Sequence, residues 1–157
     1  MGIYQLHTRQ FLPVSLEEAW DFVSSPYNLK HITPESMGFE ILSKDLPEKM
    51  YPGMIISYTV KPLLGIKTTW VSEITHVREM KYFVDEQRVG PYSLWHHEHH
   101  LEAVEGGVLM RDVVTYRPPF GILGKLANRI IIKRKLRDIF LYRENALNKR
   151  FPGKQTM

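Results

Sequence analysis

The chain has 157 residues, 43% of them hydrophobic, and a formal net charge of +4. Length and composition suit one domain over residues 1–157 with a real core, and they exclude a disordered chain. Cysteine is absent, which rules out disulfides, thiolate metal ligands and cysteine nucleophiles, and makes a reducing compartment the default.

Taken in chain order, Ile3 to Leu12 alternates polar and apolar residues and predicts a first strand, without the apolar core of a signal peptide. Ser15 with Glu18 three residues on is a capping-box pattern. Leu16, Ala19, Trp20 and Val23 then form the apolar stripe of a short helix. A second short helix is expected over Pro26 to Ile32. Six strand candidates follow at Gly38–Leu42, Met54–Lys61, Lys67–Arg78, Lys81–Arg88, Leu94–Val104 and Val108–Arg117, separated by Pro and Gly breaks. Such short spacing favours an antiparallel meander. From Ile122 to about Arg150 there is neither Gly nor Pro except Gly124, a length typical of one long helix. No run approaches the roughly 20 apolar residues of a spanning helix, so the expectation is a soluble, cytoplasmic protein. The fold class is α+β: a curved antiparallel sheet of six to seven strands wrapped around a long C-terminal helix. A sheet wrapped in this way often leaves a hollow beneath the helix.

Residues 95–101, Trp-His-His-Glu-His-His-Leu, hold four of the seven histidines. On a strand, Trp95, His97, His99 and Leu101 share one face, and the bulky apolar ends place that face inward. His96, Glu98 and His100 then form a solvated outer face. Asp112 shares a face with Met110, Val114 and Tyr116 on the next strand. His97, His99 and Asp112 read either as a satisfied hydrogen-bond network or as a site. A His-x-His pair can reach one zinc, but with only two recognisably spaced ligands no metal and no other cofactor is expected. A histidine beside a carboxylate is also the raw material of acid–base catalysis, which makes these three the candidate catalytic residues. Asp85 and Gln87 alternate with Phe83 and point either into the same cavity or outward to water. Arg143 interrupts the helix stripe, either pairing with Asp85 or Asp112 or snorkelling to solvent. Trp70 and Phe140 join Trp95, Phe83, Met110 and Tyr116 as candidates to line the hollow.

The layout resembles the START/Bet v1-like (SRPBCC) superfamily, whose helix-grip fold includes lipid-transfer domains, polyketide cyclases and plant allergens. The most specific parts are Phe83-Val84-Asp85-Glu86-Gln87, Gly90-Pro91-Tyr92 leading to Trp95-His-His-Glu-His, Gly106-Gly107, Met110-Arg111-Asp112, Tyr116, Pro119-Phe120-Gly121 and Phe140-Leu141-Tyr142-Arg143. These are most similar to a bacterial ligand-binding branch that occurs alone or behind an epimerase-like domain of proteins described as cell-division inhibitors. The resemblance implies a fold and a pocket but no reaction. The expected function is binding of a small hydrophobic or lipid-like ligand in the cavity. The alternatives are a cyclase-like or hydrolase-like enzyme using His97, His99 and Asp112, and an interaction module acting through the last helix.

That helix is basic. Between Gly121 and Arg150 nine Lys/Arg face two acids, a net of +7 that leaves −3 for the remainder. Lys125, Arg129, Lys133 and Arg137 recur at four-residue steps with Leu123, Ile130 and Ile131 beside them, which suits an anionic membrane surface or simply a solvated face. No nucleic-acid-binding motif accompanies the ridge, so nucleic acid is not expected as a partner. The sequence leaves the oligomeric state open.

Overall fold

The structure, a computed structural model, describes residues 2–62 and 65–153. Strand β1 (Tyr4–Leu12) leads into helix α1 (Leu16–Val23). The Ser15 hydroxyl accepts a hydrogen bond from the Glu18 amide at 3.1 Å, satisfying one of the amides that a helix start leaves without a partner. Ala19, Trp20 and Val23 are the buried face of α1. The expected second helix is a 3-10 turn at Pro26–Ile32, and a further 3-10 turn at Glu35–Met37 follows it.

Six strands come next: β2 (Glu40–Ile41), β3 (Met54–Val60), β4 (Thr68–Arg78), β5 (Tyr82–Val89), β6 (Leu94–Val104) and β7 (Gly107–Arg117). They pair antiparallel in the order β1-β7-β6-β5-β4-β3-β2. Five of the six junctions join chain neighbours, and the chain's first strand closes the sheet against its last. The β6–β7 hairpin turns at Gly106, whose φ of +80° lies in the left-handed region open to glycine. Beside it, a Cβ on Gly107 would lie 2.2 Å from the Leu12 carbonyl oxygen, so only glycine lets β1 and β7 approach.

Pro118 and Pro119 end β7, and Phe120 and Gly121 (φ +63° and +52°) swing the chain into the helical region. Helical backbone then continues from residue 121 to 150 as α2 (Gly121–Ala127), a π-helical turn (Asn128–Ile132) and α3 (Lys133–Arg150). The long helix is therefore present, with a bulge that no Gly or Pro within Asn128–Ile132 announces; such bulges re-aim the helix and often mark functional segments.

The core has two parts. Leu12, Trp20, Ile74, Phe83, Met110 and Leu147 anchor one; Trp70, Tyr92, Val114, Tyr116, Leu136 and Phe140 anchor the other. Helix α3 is seated on the β1 side, where the Gln10 amide donates to the Glu144 carbonyl and the Asn148 side chain, both at 2.9 Å. Over β3 to β6 the helix stands off and leaves a hollow. No helix among the described residues is long and apolar enough to cross a membrane.

Candidate functional site

The hollow is a cavity of about 150 Å³, far more than a single water needs. Its walls are apolar and aromatic: Ile56, Tyr58, Trp70 and Ile74 from β3 and β4, Leu136, Ile139 and Phe140 from α3, and Ile32 and Met37 from the 3-10 turns. Asp85, His97, His99 and Arg143 form a patch on one side of it, and Thr33 and Ser72 add hydroxyls elsewhere on the lining. β1 and β7 contribute none of the lining, because α3 sits directly over that end of the sheet.

The sheet register builds the patch. Asp85 on β5 lies opposite His97 on β6, and His99 lies opposite Asp112 on β7, with all four side chains on the inner face. Direct and diagonal neighbours on one face of an antiparallel pair are within reach of such side chains. His97 Nε2 lies 2.9 Å from Asp112 Oδ1, and His99 Nε2 lies 2.8 Å from Asp85 Oδ2. The remaining ring nitrogens also face carboxylates: His97 Nδ1 is 3.4 Å from Asp85 Oδ2, and His99 Nδ1 is 3.0 Å from Asp112 Oδ1. From α3, an Arg143 amino group lies 3.2 Å from His99 Nδ1 and 3.7 Å from Asp112 Oδ1. The imidazole centroids are 3.6 Å apart, and Phe83 stacks on His99 at 4.1 Å and 14°.

Electrostatics follow from burial. Burial, reinforced by the neighbouring His99, pushes His97 down to about 4, against the pull of both aspartates. Burial would raise the two carboxyls, yet both lie below the usual carboxylate range. For Asp85 the His99 hydrogen bond and the charges of His97, His99 and Arg143 prevail. For Asp112 the Arg143 charge and the hydrogen bonds from both histidines do so. Tyr58, on the apolar wall, is pushed up by burial and by Asp85, so it is a neutral hydroxyl. It shares the Ser72 hydroxyl with the Trp70 indole N–H, at 3.2 and 3.1 Å.

Eight of the expected site residues line the cavity: Phe83, Asp85, Trp70, Trp95, His97, His99, Phe140 and Arg143. Four do not. Asp112 is buried behind the histidines and opens toward a groove between β1 and α3 instead. Met110 is packed into the Leu12–Leu147 core, and Tyr116 is buried against Tyr4 and Tyr92. Gln87 is drawn off to the next turn, donating to the Tyr92 carbonyl at 2.6 Å and accepting from its amide at 3.2 Å. Snorkelling of Arg143 is corrected as well: its side chain is 11% exposed and turned to Asp112 and His99. Tyr58, Ser72, Ile56, Ile74 and Tyr92 line the cavity without having been singled out as site residues. The inward alternation of β3 and β4 was the signal available for the first four. The outer residues His96 and His100 pair with Glu86 and Glu98 at 3.0 and 2.9 Å, a half-exposed ionic surface.

A second feature lies outside the cavity. Phe120, Ile122, Leu123, Leu126 and Ile130 are each more than half exposed, and Ile131 is 43% exposed. Arg129, Lys133, Arg134 and Arg137 are exposed beside them. The side chain of Lys125 lies outside the described residues. Among those described, no residue from 118 to 131 lines the cavity.

The fold is shared with solved structures. A protein from Thermus thermophilus matches with a TM-score of 0.74 at 13% identity, over 94% of this chain and 97% of that one. Ginseng major latex-like protein 151 from Panax ginseng matches at 0.69 and 11% identity, over 96% and 98%. The chain has the helix-grip fold of Bet v1-like proteins. A nucleoside-diphosphate sugar epimerase from Corynebacterium glutamicum contains a similar helix-grip region, with a TM-score of 0.64 and 20% identity. The match covers 92% of this chain but 28% of that one. No family model matches the sequence, and no curated protein matches it. Identities this low carry the helix-grip architecture and leave the ligand to be argued from the site.

Proposed function

We propose that this helix-grip domain binds a small, largely apolar molecule in the cavity between its sheet and α3. One observation carries the reading: an aromatic-lined cavity whose ionisable acid–base groups, Asp85, His97, His99 and Arg143, are gathered in a single patch. Apolar walls supply affinity, and a few convergent polar groups supply orientation. A ligand would lie between Tyr58, Trp70, Trp95 and Phe140 and turn one polar group toward His97, His99 and Asp85. Two carboxylates face one guanidinium there, so a neutral hydroxyl or carbonyl suits the patch better than a third anion.

The exposed apolar stretch from Phe120 to Ile131 supports a route of delivery. Apolar side chains flanked by Arg129, Lys133 and Arg137 suit an anionic bilayer surface, where each near-surface cation contributes about 1 kcal/mol. On this reading the domain loads or unloads a lipid-like molecule at the membrane.

Catalysis by His97, His99 and Asp112 is the second reading, favoured by the hydrogen-bonded histidine–carboxylate pairs. Binding is preferred because Asp112 sits behind the histidines and out of the cavity, and among the described residues no serine, threonine or lysine side chain hydrogen-bonds either histidine.

Native mass spectrometry of protein purified from its own source tests the binding proposal. The expected result is an adduct of one small apolar molecule per chain, lost in an Ile139→Phe variant that fills the cavity. An adduct-free protein that also fails to retain apolar compounds added before purification would overturn it.

A further inference from the structure

The inner-face cluster is more than a pair of hydrogen bonds. A neutral imidazole carries one N–H and one lone pair. With both rings neutral, the Nε2–H groups donate to Asp112 and Asp85, and His99 Nδ1 accepts from Arg143. That arrangement leaves the His97 Nδ1 lone pair facing the Asp85 carboxylate at 3.4 Å. It also leaves two carboxylates against one guanidinium, a net charge of −1 in a buried cluster. Protonating both rings would place two cations 3.6 Å apart. One ligand atom from each of Asp85, His97 and His99 lies within 4.8 Å of the others, and all three residues face the cavity.

We propose that Asp85, His97 and His99 form a site for one divalent first-row transition-metal ion, zinc being the reference case. The ligands are Asp85 Oδ2, His97 Nδ1 and His99 Nε2. Four-coordinate zinc at normal bond lengths sets its ligands roughly 3.3–3.5 Å apart. Asp85 Oδ2 is already 3.4 Å from His97 Nδ1, and it needs to open only modestly from 2.8 Å to His99 Nε2. The ion takes the place of the proton between His99 and Asp85. The far nitrogens, His97 Nε2 and His99 Nδ1, then carry the N–H groups, and both lie within 3.0 Å of Asp112 Oδ1. A carboxylate that accepts from the far side of metal-bound imidazoles fixes their tautomers and raises their basicity. With Nδ1 of His99 now a donor, Arg143 gives up its 3.2 Å hydrogen bond to that nitrogen and turns to Asp112, 3.7 Å away, balancing that carboxylate. A divalent ion replaces the unfavourable contact between lone pair and carboxylate with two bonds, and it reverses the sign of the cluster. Three protein ligands leave one position open to the cavity, where an oxygen or nitrogen of a bound molecule would complete the shell.

His-x-His spacing on β6 supplied two ligands. The third comes from β5, through the register that sets Asp85 opposite His97. The proposal goes beyond ligand binding in the cavity, which needs no metal.

Chelator-treated protein is titrated with Zn²⁺ and with Co²⁺, following heat by calorimetry and the visible absorption of cobalt. The expected result is one ion per chain. Affinity should fall at least 100-fold in Asp85→Asn and in His97→Gln, each verified as folded by circular dichroism. His96→Gln/His100→Gln on the outer face should leave binding unchanged. Asp112→Asn should weaken binding about 10-fold or more while preserving the stoichiometry, as loss of an outer carboxylate does. Folded wild type that takes up neither ion, or binding that survives both Asp85→Asn and His97→Gln, would overturn the proposal.

Discussion

Two buried imidazoles sharing the same two carboxylates make His97 and His99 the residues on which this site turns. His97 is held down to about 4, mainly by burial and then by His99, against an ordinary value of 6.5. In metal-free protein the unfolded chain therefore takes up a proton at His97 that the folded protein refuses. Between about pH 6.5 and 4 the unfolded state holds more protons, so stability falls as pH falls through that window. The full shift corresponds to at most ~3 kcal/mol. Below the ordinary carboxylate range the sign is the same: Asp85 and Asp112 are lowered in the folded state, so their contribution is lost as they protonate. Urea denaturation of chelated protein should show a stability loss of ~2 kcal/mol between pH 7 and 4.5 that is smaller in His97→Gln. A wild-type profile flat over that window would contradict the assignment.

The inward direction of His97 and His99 was legible from Trp95 and Leu101 at the ends of their alternation. The direction of Asp85 was open, because one apolar residue, Phe83, cannot orient a strand whose outer face also carries Val84. Gln87 follows the same alternation, yet the unpaired backbone groups of Tyr92 draw it away. Side-chain competition of that kind has no sequence period.

At the scale of elements, strand spacing and turn residues exposed the meander, and a stretch with no Pro and, after Gly124, no Gly exposed the helix. What they hid was where the helix would stand off. α3 rests on the β1 edge through Gln10, Glu144 and Asn148, so β7 is covered and β3 to β6 are not. Met110 and Tyr116 face inward as their alternation predicts, but they meet core in place of a cavity. The π-helical turn at Asn128–Ile132 was equally hidden, since no Gly or Pro falls within it.

That turn lies within the apolar and basic stretch proposed to meet a membrane. Sedimentation with anionic vesicles should therefore exceed that with neutral ones and fall as salt screens the cations. Ile122→Ser/Leu123→Ser and Arg129→Glu/Lys133→Glu should each reduce it several-fold. Equal, negligible binding to both vesicle types would leave the stretch without a membrane role.

At the scale of the molecule, the helix-grip fold draws its core and its cavity walls from the same apolar residues. One apolar cluster joins α1, the sheet and the end of α3 and gives Ile56, Ile74 and Phe83 to the cavity walls, while the second gives Trp70, Leu136 and Phe140. The three tryptophans stand at different distances from the cavity, Trp20 reaching it only through its edge-to-face contact with Phe83 at 6.2 Å. Trp20 is buried in the first cluster, outside the lining. Trp70 and Trp95 line the cavity, their rings edge-to-face at 5.1 Å. The most direct measurement follows the three indole N–H resonances by ¹H–¹⁵N NMR while 2-naphthol, and separately decanoate, is titrated in. The account predicts saturable shifts of Trp70 and Trp95 with Trp20 nearly fixed, and a stronger response to the neutral hydroxyl compound in metal-free protein. Indole signals that do not respond to either compound, or a Trp20 shift as large as the other two, would contradict it.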